Sequence, residues 1–175
     1  MNQVLSAIHD RHSTRAFTAQ QVSRADLETI LEAGLWAPTG MGKQLWHFSA
    51  IRNAEKCLEL ARAVADADNR GPAYNFYGAP CHIIVSYKRD EIHAFPDGSA
   101  AIQTMLLAAQ SLGISSCWIN QLRPLTDHAS IRPLLTRYGV PEDHIVIGSI
   151  ALGYADESDA AAPHKRKTDV ITITE

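Results

Sequence analysis

Apolar residues recur at helical spacing near the start of the chain. The first set lies on one side of a short helix that ends in a basic segment: Val4, Leu5 and Ile8. A second helix is predicted by four apolar residues at the same spacing: Leu27, Ile30, Leu31 and Leu35. Ser23 followed by Asp26 forms a variant capping box for the start of this helix, and Pro38 ends it.

Short apolar runs further along the chain predict strands over residues 46–51, 81–87, 114–120 and 145–154. Three further helices are predicted: from a cap at Asn53 to about Val64, over residues 99–112 behind a cap at Asp97, and near residues 129–138. Polar loops are expected at 66–78 and 88–96, and a short β-like segment at 170–174. Alternating helices and strands imply an α/β or α+β layered fold. No repeat or linker divides the chain, so residues 1–175 are expected to form a single domain.

The predicted helix at residues 99–112 is apolar on most of its faces. A helix that is apolar nearly all round must be covered on several sides. This helix is therefore expected either in the core or at a subunit interface.

Composition narrows the functional classes. The 175 residues are 46% hydrophobic and carry a formal net charge of -3, which disfavours nucleic acid as the main partner. No apolar stretch has the ~20 residues of a membrane helix, and the N-terminus lacks the apolar run of an export signal. The three cysteines lie far apart in the sequence and form no CxxC motif. Their odd number favours a reducing cytoplasm, so we expect a cytoplasmic protein. The eight histidines are scattered, and no metal site is predicted.

A basic segment, Arg11-His12-Ser13-Thr14-Arg15, follows the first predicted helix. Guanidinium groups donate hydrogen bonds in a planar fork that suits phosphate oxygens, and the hydroxyls add short donors. An alternative is that the arginines only stabilise the C-terminus of a helix. The segment predicts an anion site, and this alternative stays open from the residues alone.

A second basic segment, His164-Lys165-Arg166-Lys167, lies near the other end of the chain. Charge runs near a terminus are usually solvated, so this segment gains meaning only if the fold brings it to the first one. A third segment, residues 37–44, contains a Gly-Lys pair but is no P-loop. Ala37 replaces the first glycine and Gln44 replaces the magnesium-binding hydroxyl.

The stretch Ser115 to Gln121 predicts a strand that ends in polar residues. Such an end can offer backbone groups to a bound ring, although an ordinary core strand has the same pattern. Cys117 is not expected to act as a nucleophile, because burial in an apolar strand raises a thiol pKa.

These segments resemble, in their order along the chain, pieces of the nitroreductase family of FMN-dependent oxidoreductases. The resemblance spans nearly the whole sequence. The matching pieces are Arg11–Phe17; Ala37–Gly40 with Gln44 and Trp46–Phe48; Gly78–Pro80; Leu112–Ile119; and Gly153–Tyr154 with Pro163 and Arg166–Lys167. The resemblance implies an α+β fold with a central, mostly antiparallel sheet flanked by helices, in an intertwined homodimer.

The same resemblance implies roles for particular residues. The FMN phosphate and ribityl chain would be held by Arg11, His12, Ser13 and Arg15, and Arg166 with His164 or Lys167 would complete the phosphate site. The loop of Thr39, Gly40, Met41 and Gln44 would lie near the flavin ring, contributed by the partner subunit in many members. Ile119 and Asn120 would present backbone near the reactive nitrogen of the ring.

Two positions depart from the family pattern: Gly42 replaces an asparagine that is expected to touch the flavin, and Leu45 replaces a proline. The implied reaction is ping-pong transfer of electrons from NADH or NADPH through FMN to a small electron-poor acceptor, such as a nitroaromatic or a quinone. No side-chain acid or base is required, so no catalytic residue is named. The alternatives are a non-enzymatic flavin-binding protein, or a related enzyme that dehalogenates, desaturates or breaks down the flavin.

Overall fold

The computed structural model describes residues 1–159, 166–167 and 169–174. Within them the helices are α1 (Gln3–Asp10), α2 (Arg24–Leu35), α3 (Ala54–Ala67), α4 (Ala94–Ser111) and α5 (Arg132–Arg137). The strands are β1 (Trp46–Ile51), β2 (Cys81–Lys88), β3 (Ser115–Ile119) and β4 (His144–Gly153). Single 3-10 turns cover Gly40–Gly42 and Phe76–Gly78.

In the described part of the chain the strands form one sheet in the order β1-β2-β4-β3, and every neighbouring pair is antiparallel. This confirms the α+β expectation over the α/β alternative. The longest strands, β2 and β4, lie in the middle of the sheet and are buried along almost their whole length. Strand β1 lies at one edge and β3 at the other.

Helices cover both faces of the sheet, so the core has two parts. Alternate residues of a strand point to opposite faces. In β2, Ile83 packs with α2 and α4 on one face, whereas Ile84 packs with α3 and α5 on the other. Helix α4 contacts α1, α2 and all four strands of the sheet, which explains its nearly continuous apolar surface.

Several predicted boundaries are confirmed by the capping contacts. The Ser23 hydroxyl accepts a hydrogen bond from the Asp26 amide at 3.0 Å, and Asn53 caps α3 through the Lys56 amide at 2.9 Å. Strand β1 has the predicted limits. Helix α5 is shorter than predicted, with its proline in the first turn.

The predicted start of α4 is wrong. The helix begins at Ala94 rather than at residue 99, and Asp97 lies inside its first turn instead of capping it. Pro96 does not stop the helix, because a first-turn residue needs no amide hydrogen for an intrahelical bond. The Asp97 side chain is therefore free to bind elsewhere.

Two other expectations need correction. The 66–78 stretch is not wholly a surface loop, because α3 continues to Ala67 and Phe76 is completely buried. The β-like segment at 170–174 is not a strand in the described residues: it has no paired neighbour, and Val170, Ile171 and Ile173 are at least 70% exposed. None of the helices that the structure describes has the length and apolar character needed to cross a bilayer.

Candidate functional site

The basic segment Arg11–Arg15 lies between the start of β3 and the residues that follow β4. The Thr14 amide donates to the Ser116 carbonyl at 3.1 Å, which ties the segment to β3. Just beyond it, the Thr18 amide donates to the Tyr154 carbonyl at 2.9 Å. The segment is thus held as an extended chain against the rim of the sheet, after α1 has ended at Asp10.

The side chains of this segment form a concentrated group of hydrogen-bond donors. Arg11, His12 and Ser13 are half-buried, and Arg15 is exposed. Neither guanidinium has a carboxylate within 4 Å among the described residues, although Arg15 Nη1 donates to the Ser13 carbonyl at 3.2 Å. Both positive charges are therefore available to an anionic ligand.

Thr14 supplies a further sign of a polar ligand beside this segment. Its side chain is 1% exposed, and its hydroxyl has no hydrogen-bond partner among the described residues. A buried polar atom without a partner costs about 1–3 kcal/mol. The helix-end explanation for the arginines does not account for this hydroxyl.

Asp159, which the sequence analysis missed, binds the same segment from the other end of the chain. Its Oδ1 accepts from the Arg15 amide at 2.9 Å, and its Oδ2 lies 3.8 Å from His12 Nε2. The residues after β4 therefore do return to the first basic segment. An acidic residue in an Ala- and Asp-rich stretch gave no signal of this contact.

The second half of the predicted phosphate site is less completely described. His164 lies outside the described residues, and Arg166 and Lys167 are exposed. Because the return of the chain is established only as far as Asp159, the joining of the two basic segments stays a prediction.

Cys117 lies next to the basic segment, on the buried face of β3, and is 3% exposed. Burial raises the pKa of its thiol, while nearby Arg15 and a hydrogen bond from Ser13 act in the opposite direction. Since burial is the larger effect, the thiol stays protonated near neutral pH. This agrees with the expectation that Cys117 is not a nucleophile.

Ile119 and Asn120, the predicted ring contacts on this chain, lie at the other end of β3. Ile119 is buried, and Asn120 is exposed directly after the strand. From Ser116 to Asn120 the chain advances about 13 Å at roughly 3.3 Å per residue, which suits a ligand with a phosphate at one end and a ring at the other.

The loop of Thr39 to Gln44 has an unusual backbone. Met41 and Gln44 have φ values of 58° and 48°, in the left-handed region that L side chains rarely adopt. Gly42 also lies there, at 67°. Asparagine is among the few other residues that tolerate this conformation, so this backbone is compatible with either glycine or the asparagine of the pattern that the sequence resembles.

Contacts with the start of α4 hold this loop. The Gly40 amide donates to both carboxylate oxygens of Asp97, at 2.9 and 3.1 Å. Lys43 pairs with Glu91 at 2.8 Å. The Met41 side chain is 85% exposed at the tip of the loop.

Within one chain, this loop and the basic segment lie near opposite ends of the sheet. The basic segment adjoins Ser116, which pairs with Leu152 of β4. The loop is tied through Asp97 to Tyr87, which pairs with Ile145 of the same strand. Seven positions of β4 separate these pairings, which is about 23 Å at roughly 3.3 Å per residue. The structure therefore brings Arg11–Arg15 near β3 but does not bring the 39–44 loop to them.

Comparisons with known proteins agree with this fold. The model of the nitroreductase family matches residues 8–154. A Bacteroides fragilis nitroreductase solved with bound FMN is 42% identical, with a TM-score of 0.94 and complete coverage of both chains. A Desulfitobacterium hafniense nitroreductase with bound FMN is 30% identical, with a TM-score of 0.89 over the full length of both chains. An NADPH-flavin oxidoreductase of Vibrio harveyi is 27% identical over 173 residues, covering 93% of this chain and 70% of that protein.

Proposed function

Because the chain belongs to the nitroreductase family, we propose that it is an FMN-dependent oxidoreductase that takes electrons from NADH or NADPH. The electrons pass to a small electron-poor acceptor, such as a nitroaromatic or a quinone. The observation that carries this proposal is that the Arg11 and Arg15 guanidinium groups have no carboxylate partner among the described residues and lie beside the buried hydroxyl of Thr14.

The donor set fits the phosphate and ribityl chain of FMN. Arg11 and Arg15 would bind phosphate oxygens through guanidinium groups, and Ser13 and His12 would add hydrogen bonds. Arg166, with His164 or Lys167, would complete the site. Ile119 and Asn120 would lie along the ring on the same chain.

FMN supplies the redox chemistry when it is bound, accepting a hydride from a nicotinamide and passing electrons to an acceptor. The residues of this chain bind and orient it. A site open to solvent can receive donor and acceptor in turn, which is the physical basis of a ping-pong order. Because water can supply protons there, no side chain needs to act as an acid or base.

The visible absorption spectrum of the purified protein tests this proposal directly. We expect a yellow protein that NADH or NADPH bleaches and that regains its colour when a quinone or nitroaromatic is added. A protein that stays colourless and does not bind added FMN would contradict the proposal. Bound FMN with no turnover over a panel of acceptors would instead favour a non-enzymatic flavin-binding protein.

Substitution of Arg11 tests the phosphate site. A hydrogen bond to a charged group contributes about 1.5–3 kcal/mol, so Arg11→Ala should weaken FMN affinity roughly tenfold to a hundredfold. Arg24→Ala is the matched control, because Arg24 lies on the exposed start of α2 and pairs with Glu28. FMN titration followed by fluorescence quenching measures both variants. Equal affinities would show that Arg11 only stabilises the end of α1.

We also propose that the active form is a homodimer in which the 39–44 loop of one subunit approaches the FMN of the other. Apolar surfaces left uncovered in one chain support the dimer. They are the exposed face of α1, an open groove of about 410 Å³ beside Leu31, Leu35, Trp46 and Phe48, and the segment 170–173.

Sedimentation velocity with and without FMN tests the dimer. If FMN binds only the dimer, an FMN concentration about 100 times its Kd stabilises the bound form by about 2.7 kcal/mol per site, so added FMN should shift monomers into dimers. Ile8→Glu places a charge on the exposed apolar face of α1 and should favour the monomer, whereas Thr29→Glu on the exposed face of α2 should not. A monomer that binds FMN with undiminished affinity would contradict the shared site.

A further inference from the structure

We propose that Asp97 is a positioning residue that fixes the backbone of the Thr39–Gln44 loop through the Gly40 amide, and thereby sets how this loop meets the flavin. The inference rests on the proposed function for its enzymatic consequence. Its structural part, the control of the loop by one buried carboxylate, stands on the contacts of this chain alone.

Asp97 is 5% exposed, and its side chain has no cationic partner among the described residues. Burying a carboxylate is costly unless hydrogen bonds replace its lost hydration. Two donors do so here. The Gly40 N–H is shared between both carboxylate oxygens, and the Tyr87 hydroxyl donates to Oδ2 at 2.7 Å.

Tyr87 keeps the carboxylate in one orientation. It is completely buried in β2, and burial together with its hydrogen bond to Asp97 raises the pKa of its hydroxyl to about 12. The hydroxyl therefore stays protonated and donates throughout the physiological range. Because Tyr87 belongs to the central strand β2, Asp97 connects the loop to the buried centre of the sheet.

The loop needs such a tether because its own conformation is unfavourable. Met41 and Gln44 both have positive φ, and strained backbone of this kind persists only where the surroundings enforce it. The amide that Asp97 binds belongs to Gly40, directly before Met41. Releasing this amide would let the loop relax toward ordinary backbone angles.

His93 limits the same residue from the other side. A Cβ added to Gly40 would lie 2.4 Å from Cγ of the His93 ring, closer than real Cβ contacts. Gly40 is thus held between an imidazole and a carboxylate, both from the start of α4. The two contacts define one position for the peptide that precedes the exposed Met41.

The first test uses Asp97→Asn and Asp97→Ala in the FMN-bound enzyme, with Asp127→Asn as the matched control. Asp127 is an exposed partner of Arg89 and lies outside the proposed site. A misplacement of about 1 Å near the reacting groups can lower the reaction rate a hundredfold. We therefore expect kcat/KM to fall roughly tenfold to a hundredfold in the Asp97 variants. We also expect a changed flavin circular dichroism spectrum and a raised KM for the acceptor. The control should match wild type in all three measurements.

The second test moves the loop while Asp97 stays in place. Gly40→Ala should reproduce the changed flavin spectrum and KM through the clash with His93, and the double variant Gly40→Ala with His93→Ala should restore them at least in part. Asp97 variants that lose only thermal stability, with wild-type flavin spectrum and KM, would overturn the proposal. So would a Gly40→Ala variant that is indistinguishable from wild type.

A readout without FMN separates this proposal from the proposed function. In the FMN-free protein, amide hydrogen exchange at Gly40 should be slow, and about tenfold faster or more in Asp97→Asn, because the amide loses part of its bond to a charged acceptor. Fast exchange at Gly40 in wild type would overturn the positioning role. Slow exchange in a protein that binds no FMN would support the tether while refuting the enzymatic function.

Discussion

His82 should make the protein lose stability in mild acid. The side chain is completely buried in β2, it stacks on Phe76 with ring centroids 4.4 Å apart, and neither ring nitrogen has a hydrogen-bond partner among the described residues. Burial lowers the pKa of this imidazole to about 3. In the unfolded chain the pKa is about 6.5. The folded state therefore holds His82 neutral under conditions where the unfolded state takes up a proton.

The sign and size of the effect follow from this difference. Well above pH 6.5 neither state is protonated at His82, and no stability is lost through this group. As pH falls toward 3, only the unfolded state gains the proton, so the free energy of unfolding decreases by up to about 1.4 kcal/mol per pH unit. Between pH 7 and pH 5 the loss attributable to His82 is about 2 kcal/mol.

Urea denaturation at pH 7 and pH 5 measures this loss. His82→Leu removes the titrating group and should reduce the pH dependence by about 2 kcal/mol relative to wild type. His9→Gln, at an exposed position in α1, should leave it unchanged. Burial also lowers the pKa of His144, so some acid sensitivity should remain in His82→Leu. If His82→Leu and wild type lose the same free energy over this interval, the imidazole is not buried as a neutral, unpaired group.

Two stability predictions concern local packing and capping. Ser23→Ala removes the hydroxyl that accepts from the Asp26 amide and should lower the free energy of unfolding by about 1 kcal/mol in thermal or urea melts; no loss would show that the cap is dispensable. Gly98→Ala should destabilise although alanine favours helices by about 1 kcal/mol, because the new Cβ would lie 2.7 Å from Ile147 and overpacking costs about 1–3 kcal/mol. A variant more stable than wild type would mean that β4 can shift away from α4.

The sequence predicts elements well where local chemistry alone determines them. Strand β1 and the caps at Ser23 and Asn53 follow from short-range patterns, and the structure has them as expected. The start of α4 was misplaced because Asp97 has the residue type of a helix cap, whereas its carboxylate instead binds an amide 57 positions earlier in the chain. A contact of that separation leaves no periodic signal.

The candidate site shows the same division between local and distant information. Arg11–Arg15 could be recognised because its donors are adjacent in sequence. Asp159 could not be recognised from the sequence, since it reaches the segment across 144 positions through the register of β4 and the turn after it.

The C-terminal segment shows the opposite error, because a local pattern there predicted an element that the described part of the chain lacks. Its alternating residues 170–174 suggest a strand, but a strand must pair with a neighbour, and in the described residues this segment pairs with neither edge of the sheet.

The backbone contacts of the basic segment limit how it could bind the proposed phosphate. The Thr14 amide is used by Ser116 and the Arg15 amide by Asp159, so neither can point at a ligand. Phosphate-binding loops and helix N-termini rely on backbone amides, and two amides of this segment are already used within the fold. Arg11 is therefore expected to contribute through its guanidinium group, where the geometry of the donor matters as well as its charge. Arg11→Lys keeps the charge but loses the planar fork, so FMN affinity should fall nearly as far as in Arg11→Ala. Titration of both variants decides this, because wild-type affinity in Arg11→Lys would mean that a point charge is sufficient.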